Sequence, residues 1–533
     1  MYERRTTIDV PPSATLNERI KALFPPCAIF HCEPERLNTL SERRMRQMSR
    51  TVRAKPDWIK MLDDADMRAA WAAEARAQEL TDAEFAYVLD ELAYYASLHL
   101  PDCSAKLSTA DDVWYSDTLI DAETTNELKR RVAILEDVPD RQKDWYPEGK
   151  SRVLNLIDPS LYPLIYKSSR LCRQSSTSPL AALTLEASRD FGWLPSEFRV
   201  DDNGAVTIES YINNLHPIKH KALYPIIASV FSKFLPLLEQ VVTDVVHPRQ
   251  PRVKPDASKY YTSNIPMPAQ HGDDYDQWKA QADFVPPQPE PFVVPVRPAT
   301  PHSLRSRRLQ VIVRISHVEL TPEDSIYSDK EWKLAGLANE RIIATCVFFY
   351  DVANVAPSSL RFREAISSWD YEADSHDVDS MTKAYGLDET MVHDEYFLSQ
   401  EVGNIDIKDG QCLVFPGVYQ YQMPELKLED STKPGHCKML TLYLVDPSTR
   451  IPSTEIVPPQ QKDWWEEDVR CSEPFCNLPL LITDRIMKRV DYPISLEDAK
   501  KLRRDWAEQY ERVLMENTYH DFEPCFDYAG TLY

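Results

Sequence analysis

The sequence predicts an α+β protein: a jelly-roll (double-stranded β-helix) core wrapped by N- and C-terminal helices. Three observations carry this. First, the stretch from Leu309 to Pro447 holds several short apolar runs broken by Gly, Pro and Asp turns, as in closed or double-sheet β architectures. Second, its opening run, Leu309 to Ile315, puts apolar residues at 309, 311, 313 and 315, one face of a strand. Third, apolar residues recur at helical spacing at both ends of the chain.

Within the core stretch, further strands are expected over Arg341–Tyr350, Gln411–Val418 and Lys438–Val445. Residues 1–38 are spotted with proline and read as an irregular arm. Ser41 to about Leu100 reads as helical. Pro56 suits a first helical turn, and Thr81-Asp82-Ala83-Glu84 fits a capping box. A helix is expected over Ala122–Leu135. A hairpin follows, with Phe198–Val200 and Val206–Ile212 flanking Asp202-Asn203-Gly204, because Asn-Gly favours a tight turn. Residues 221–243 form an amphipathic helix. Between Pro248 and Pro301 lie 12 prolines, the signature of a linker or a wrapping extended segment. Residues 366–396 are rich in Asp, Glu and His and read as an irregular insertion between core strands, a lid over the cleft or a solvated loop. A final helix is capped by Ser495 and carries Leu496, Ala499, Leu502, Trp506, Tyr510 and Val513 on one stripe. The resulting divisions are 1–100 (arm and helical region), 101–247 (mixed α/β part of the core), 248–303 (proline-rich linker), 304–465 (jelly roll) and 466–533 (C-terminal helical region).

The net charge is −23, from 84 acidic and 61 basic residues. Nucleic acid and anionic membranes both need a positive footprint, so neither is an expected partner. The ten cysteines are scattered without a Cys-x-x-Cys pair, so zinc-site spacing is absent and a reducing compartment is expected. No apolar signal-type run opens the chain, and the most apolar window, Leu223–Val242, is interrupted by Pro225, Lys233 and Pro236. Together these point to a cytoplasmic protein. Phosphate-loop, dinucleotide-binding and nucleophile-elbow motifs are absent, and 11 glycines would hardly build them.

The motifs Leu309–Val313, Asn339-Glu340, Tyr350-Asp351, Phe415-Pro416, Lys433-Pro434-Gly435-His436, Leu444-Val445-Asp446-Pro447, Ser210–Pro217 and Asp463-Trp464-Trp465 point further. With them, the chain resembles the fungal family known as domain of unknown function 4246, which looks like a branch of the iron(II)/2-oxoglutarate oxygenases. In that family the resemblance implies two His ligands, a Glu ligand and a carboxylate-binding Arg. At the matching positions this chain has Lys333, Ala335, Tyr421 and Cys437.

Chemistry makes those replacements consequential. A non-haem iron(II) site needs two imidazoles and a carboxylate on one face. A protonated Lys offers no lone pair, Ala offers nothing, Tyr ligates only as a phenolate, and Cys lacks the bidentate grip of Arg. The expectation is therefore a degenerate, oxygenase-like protein that binds a small ligand or a partner protein in the former cleft, without cofactors. Candidate ligand-binding residues are Lys333, Tyr421, Asn213 and His216, with Lys333 standing where the metal would sit and attracting an anion. Two alternatives stay open. One is metal-free chemistry by Lys333 or Tyr421. The other is a relocated iron(II) and 2-oxoglutarate site using His317 and Glu319, which share a strand face. Other His–acid neighbours are His31-Cys32-Glu33, His271-Gly272-Asp273, His376 and His393-Asp394-Glu395.

Overall fold

The computed structural model describes residues 36–100, 104–145, 153–166, 169, 190–268, 273–295, 298, 301–366, 378–387, 396–423, 425–490 and 493–526. The rival histidines His31, His271, His376 and His393 lie outside these residues. So does much of the acidic insertion, whose described part includes the helix Val378–Tyr385.

Six helices matter most: α1 (Leu40–Arg53), α2 (Ala65–Ala77), α3 (Asp82–Ser97), α4 (Ala122–Glu136), α5 (Tyr224–Val246) and α6 (Leu496–Asn517). Their starts are chemically set. The expected capping box forms at α3, with Thr81 accepting from Glu84 and Glu84 reaching back to the Thr81 N–H. Ser495 caps α6 by accepting from the Asp498 N–H at 3.1 Å. Pro56, by contrast, sits in a turn beside Asp57, whose φ is 56°, so it precedes a helix without belonging to its first turn. α5 belongs to Lys221–Val246, the one described segment long and apolar enough to cross a membrane, but its apolar window is 72% buried inside the protein.

The strands are β1 (Lys106–Leu107), β2 (Trp114–Ser116), β3 (Asp144–Trp145), β4 (Val153–Ile157), β5 (Ser196–Val200), β6 (Val206–Ile208), β7 (Arg307–Leu320), β8 (Ile342–Ala353), β9 (Ser359–Glu364), β10 (Gln400–Asp406), β11 (Cys412–Pro416), β12 (Gln420–Gln422) and β13 (Gly435–Val445). The larger sheet runs β1-β2-β11-β8-β13-β7-β4-β3, with β5 pairing the first part of β7 and β6 pairing β5. It thus draws strands from chain segments on both sides of the proline-rich region. A second sheet has the order β10-β9-β12. The hairpin at Asn203-Gly204 forms as expected, with Gly204 at φ 87°, but its second strand stops at Ile208.

The larger sheet is covered on both faces. Odd-numbered β7 residues, Leu309, Val311, Val313 and Ile315, pack with Ile227, Phe231, Phe234 and Leu238 of α5. The opposite face supplies Val318, Leu320, Val347, Phe349, Leu413, Phe415 and Cys437, which meet Leu360, Phe362, Val402 and Ile405 of the second sheet. The two sheets therefore pack face to face, and the chain is a mixed α+β protein.

The helical layer is tied on by buried ion pairs. Arg53 of α1 donates to Asp111 at 2.9 Å, and Arg252 of the proline-rich segment donates to Asp111 at 3.1 Å and Glu91 at 2.7 Å. That segment wraps the body: Tyr260 is buried and Phe292 meets Tyr87 edge-on. Burial alone would raise the Asp111 pKa, but Arg252, Arg53 and Arg46 hold it well below the usual carboxylate range. Replacing Asp111 by Asn leaves two buried guanidiniums short of a partner and is expected to cost about 3–5 kcal/mol in urea unfolding at pH 7. Because the folded-state pKa is depressed, the wild-type advantage is present above about pH 4 and should shrink as pH falls below it.

Candidate functional site

The segment from Glu331 to Glu340 is a loop, not a strand. Lys333 makes a single bridge to Tyr421 of β12, its N–H donating to the Tyr421 carbonyl at 2.9 Å and its carbonyl accepting from the Tyr421 N–H at 3.0 Å. Two of the positions singled out in the sequence are thus backbone neighbours. Their side chains differ in fate. The Lys333 ammonium pairs with Asp329, four residues back along the chain, and is 38% exposed. It stands at the rim and has a carboxylate already.

Ala335 is buried among Trp193, Ile312, Ile342, Tyr443 and Trp506. Trp193 lies 5.3 Å from Trp506 and 5.5 Å from Tyr443 between ring centres, and Trp506 stacks on Tyr510 at 5.2 Å. The Tyr510 hydroxyl of α6 donates to the Leu334 carbonyl at 2.8 Å and accepts from the Leu334 N–H at 3.0 Å. The C-terminal helix therefore latches onto this loop through a residue from its predicted apolar stripe.

Two residues here escaped the sequence reading. Glu340 is fully buried beneath the loop and accepts from the Leu337 N–H at 2.6 Å and the Trp193 N–H at 3.1 Å. Burial raises its pKa to about 7 despite those bonds. Its place in the quoted Asn339-Glu340 motif was the available signal. The second is Arg314 of β7. It pairs across the sheet with Thr441 and lies on the same face as Ile312, whose neighbour is Tyr443. Tyr443 hydrogen-bonds it. Burial opposes its charge, yet the pull of Tyr443, Asp158 and Tyr421 holds it above the ordinary guanidinium range. Among the described residues, no carboxylate reaches ion-pair distance of Arg314, and its Nε is buried without a hydrogen-bond partner.

Tyr421 faces this group. Burial, helped by Tyr443 and Tyr510, keeps its phenol well above the usual range, so it stays protonated. Its ring lies 5.3 Å from Phe415. Cys437 is fully buried and pairs with Val318, six residues along β13 from Tyr443, roughly 20 Å at strand rise. Burial pushes its thiol up to about 12, so it offers no thiolate. The structure thus brings Lys333 and Tyr421 together at the backbone, while Cys437 lies in the apolar cluster between the sheets, against which Tyr421 also packs.

Asn213 and His216 occupy a hydrogen-bonded clamp. Asn213 donates to the Tyr162 carbonyl at 3.1 Å and accepts from Gln461 at 3.0 Å. His216 accepts from the Ile218 N–H at 3.2 Å and packs on Trp464 at 4.8 Å. His317 lies on the opposite sheet face from Arg314, against α4. Its Nε2 bonds the Tyr350 hydroxyl and its Nδ1 lies 3.2 Å from Glu136. Glu319 is opposite His436 on β13. Among the described residues, no three His, Cys, Asp or Glu side chains group as a metal site.

A family model described as protein of unknown function (DUF4246) matches residues 82–468. The chain belongs to the DUF4246 family. No curated protein matches it. Solved structures similar to parts of this DUF4246 chain include a selenomethionine-labelled Fe(II)/(alpha)ketoglutarate-dependent dioxygenase, TqaL, with a TM-score of 0.25 and 8% identity, covering 61% of this chain and 75% of that one. Another is IDO from Bacillus thuringiensis, with a TM-score of 0.14 and 10% identity, covering 26% of this chain and 47% of that one.

Burial lowers the His317 pKa to about 3, with Lys438 and His436 adding to the effect and Asp351 opposing it. Its protonation in the unfolded chain near pH 6.5 is then resisted in the fold. Its contribution is present above that value and is lost as pH falls toward 3. In this DUF4246 protein, urea midpoints should fall by the equivalent of about 2 kcal/mol between pH 6.5 and pH 5 through this residue. His317→Gln should flatten that limb; an unchanged slope would contradict the buried neutral imidazole.

Proposed function

We propose that the two packed sheets are a jelly roll of the iron(II)/2-oxoglutarate oxygenase kind, and that its cleft binds a small anionic molecule instead of supporting iron chemistry. The observation that carries this is Arg314, a guanidinium between the sheets with no carboxylate of the chain at ion-pair distance among the described residues. A charge removed from water needs a partner, and an unpaired one is costly. Arg offers a planar fork that suits carboxylates and phosphates. Tyr421 and Tyr443, both beside Arg314, can add hydroxyl donors.

The donor set does not fit iron(II). Lys333 is ion-paired, Ala335 has no donor atom, and Tyr421 is held as a phenol. His317 and Glu319 are on the other face of the sheet, away from this cleft. The same facts disfavour Lys333 or Tyr421 as a general base, since one is neutralised at the rim and the other is held protonated. In this reading the protein is a cytoplasmic binding protein and a pseudoenzyme, with no nucleic-acid or membrane partner, in keeping with its net charge of −23.

The test is a thermal-shift screen of small carboxylates, including 2-oxoglutarate, and phosphates. A ligand of the native state raises apparent stability, by about 2.7 kcal/mol at a hundredfold excess over Kd. At least one anion should stabilise wild type, lose its effect with Arg314→Met, and keep most of it with Lys333→Met. If no anion acts through Arg314, or if the protein turns over 2-oxoglutarate with iron(II), the reading fails.

A further inference from the structure

Outside the cleft, two histidines stand head to head. His247 follows the last residue of α5, and His302 lies just before β7. Their Nε2 atoms are 3.1 Å apart, and their ring planes lie within 4° of each other. They are 55 residues apart in the chain, and the segment between them is the proline-rich stretch. The pair therefore closes the root of a long connection.

Both histidines are anchored at the backbone by the same residue. The His247 backbone N–H donates to the Thr243 carbonyl at 2.9 Å, and the His302 backbone N–H donates to the Thr243 hydroxyl at 2.8 Å. Thr243 is itself fully buried, and its hydroxyl donates on to the Glu239 carbonyl. Glu239 in turn accepts from the Leu304 N–H at 2.9 Å, fixing the chain just beyond His302. These bonds fix the two main chains, and with them the approach of the two rings.

We infer that His247 and His302 form a two-histidine clip for a divalent transition metal of the zinc or nickel type, stapling the end of α5 to the entry of β7. Imidazole nitrogens suit these metals. At metal–nitrogen distances of about 2.0–2.1 Å, a 3.1 Å separation subtends roughly 100° at the ion, between octahedral and tetrahedral values. Both side chains are partly exposed, which gives an entry path and leaves the remaining positions to water. The ligand form is the neutral imidazole. Joining the ends of a long connection is where such a clip constrains the chain most.

The experiment uses the full chain, stripped with EDTA, then titrated with ZnCl₂ or NiCl₂ at pH 7.5 by calorimetry and thermal melting. Wild type should bind one ion per chain, and its Tm should rise by a few degrees. His302→Gln and His247→Gln, each checked for native circular dichroism, should lose that rise. No shift in wild type would mean that the rings only share a proton, and an equal shift in both Gln variants would place the ion elsewhere. Either result overturns the clip.

Discussion

β7 must be covered on both of its faces, and the rest of the molecule is arranged around that requirement. Its odd-numbered residues are apolar and take α5 as their cover. Its even-numbered residues Gln310, Ile312 and Ser316 are buried too, and Arg314 on the same face is partly buried. Gln310 is satisfied by Glu197 at 3.0 Å and by the Ile451 carbonyl at 2.8 Å. Among the described residues, Arg314 is bonded by Tyr443, with Asp158 and Tyr421 acting on its charge. The second sheet and the C-terminal helix close over that mixed face. A strand buried on both sides normally reads as a continuous apolar run. The exceptions along β7 are therefore where polar chemistry is retained inside the fold.

The loop at Glu331–Glu340 is held in place through its backbone. Positions 333 and 421 still meet through paired backbone hydrogen bonds. The space around position 335 is occupied by indole and phenol rings from β13, α6 and the Trp193 segment. The loop is held from below by the Glu340 carboxylate and from above by Tyr510. Both grips act on backbone groups, so they are indifferent to which side chains stand at 333 and 335.

Charge is organised differently in the helical layer. There, each buried guanidinium of the Asp111 network has a carboxylate within hydrogen-bond reach: Arg53 and Arg252 on Asp111, and Arg46 on Glu364. Such networks hold a geometry because breaking one member strands the others. The contrast with Arg314 is what separates a structural cation from a candidate binding one.

Several features followed from the sequence because they are local. The capping box at Thr81, the Ser495 cap, the Asn203-Gly204 hairpin and the alternation from Leu309 to Ile315 depend on near neighbours, and each forms. Family membership followed because motif residues are read one position at a time, and the same reading singled out Lys333, Ala335 and Tyr421. Arg314 was not, because on a strand with one apolar face the other face reads as solvent-facing; only the packing of a second sheet makes it interior. His317 and Glu319 looked like a ligand pair because i and i+2 share a face, but alternation does not say which face borders the cleft. The sequence alone settles periodicity, caps, turns and residue identity. Which face is inside, and which distant side chains meet there, depends on contacts between segments hundreds of residues apart, and only the tertiary structure decides that.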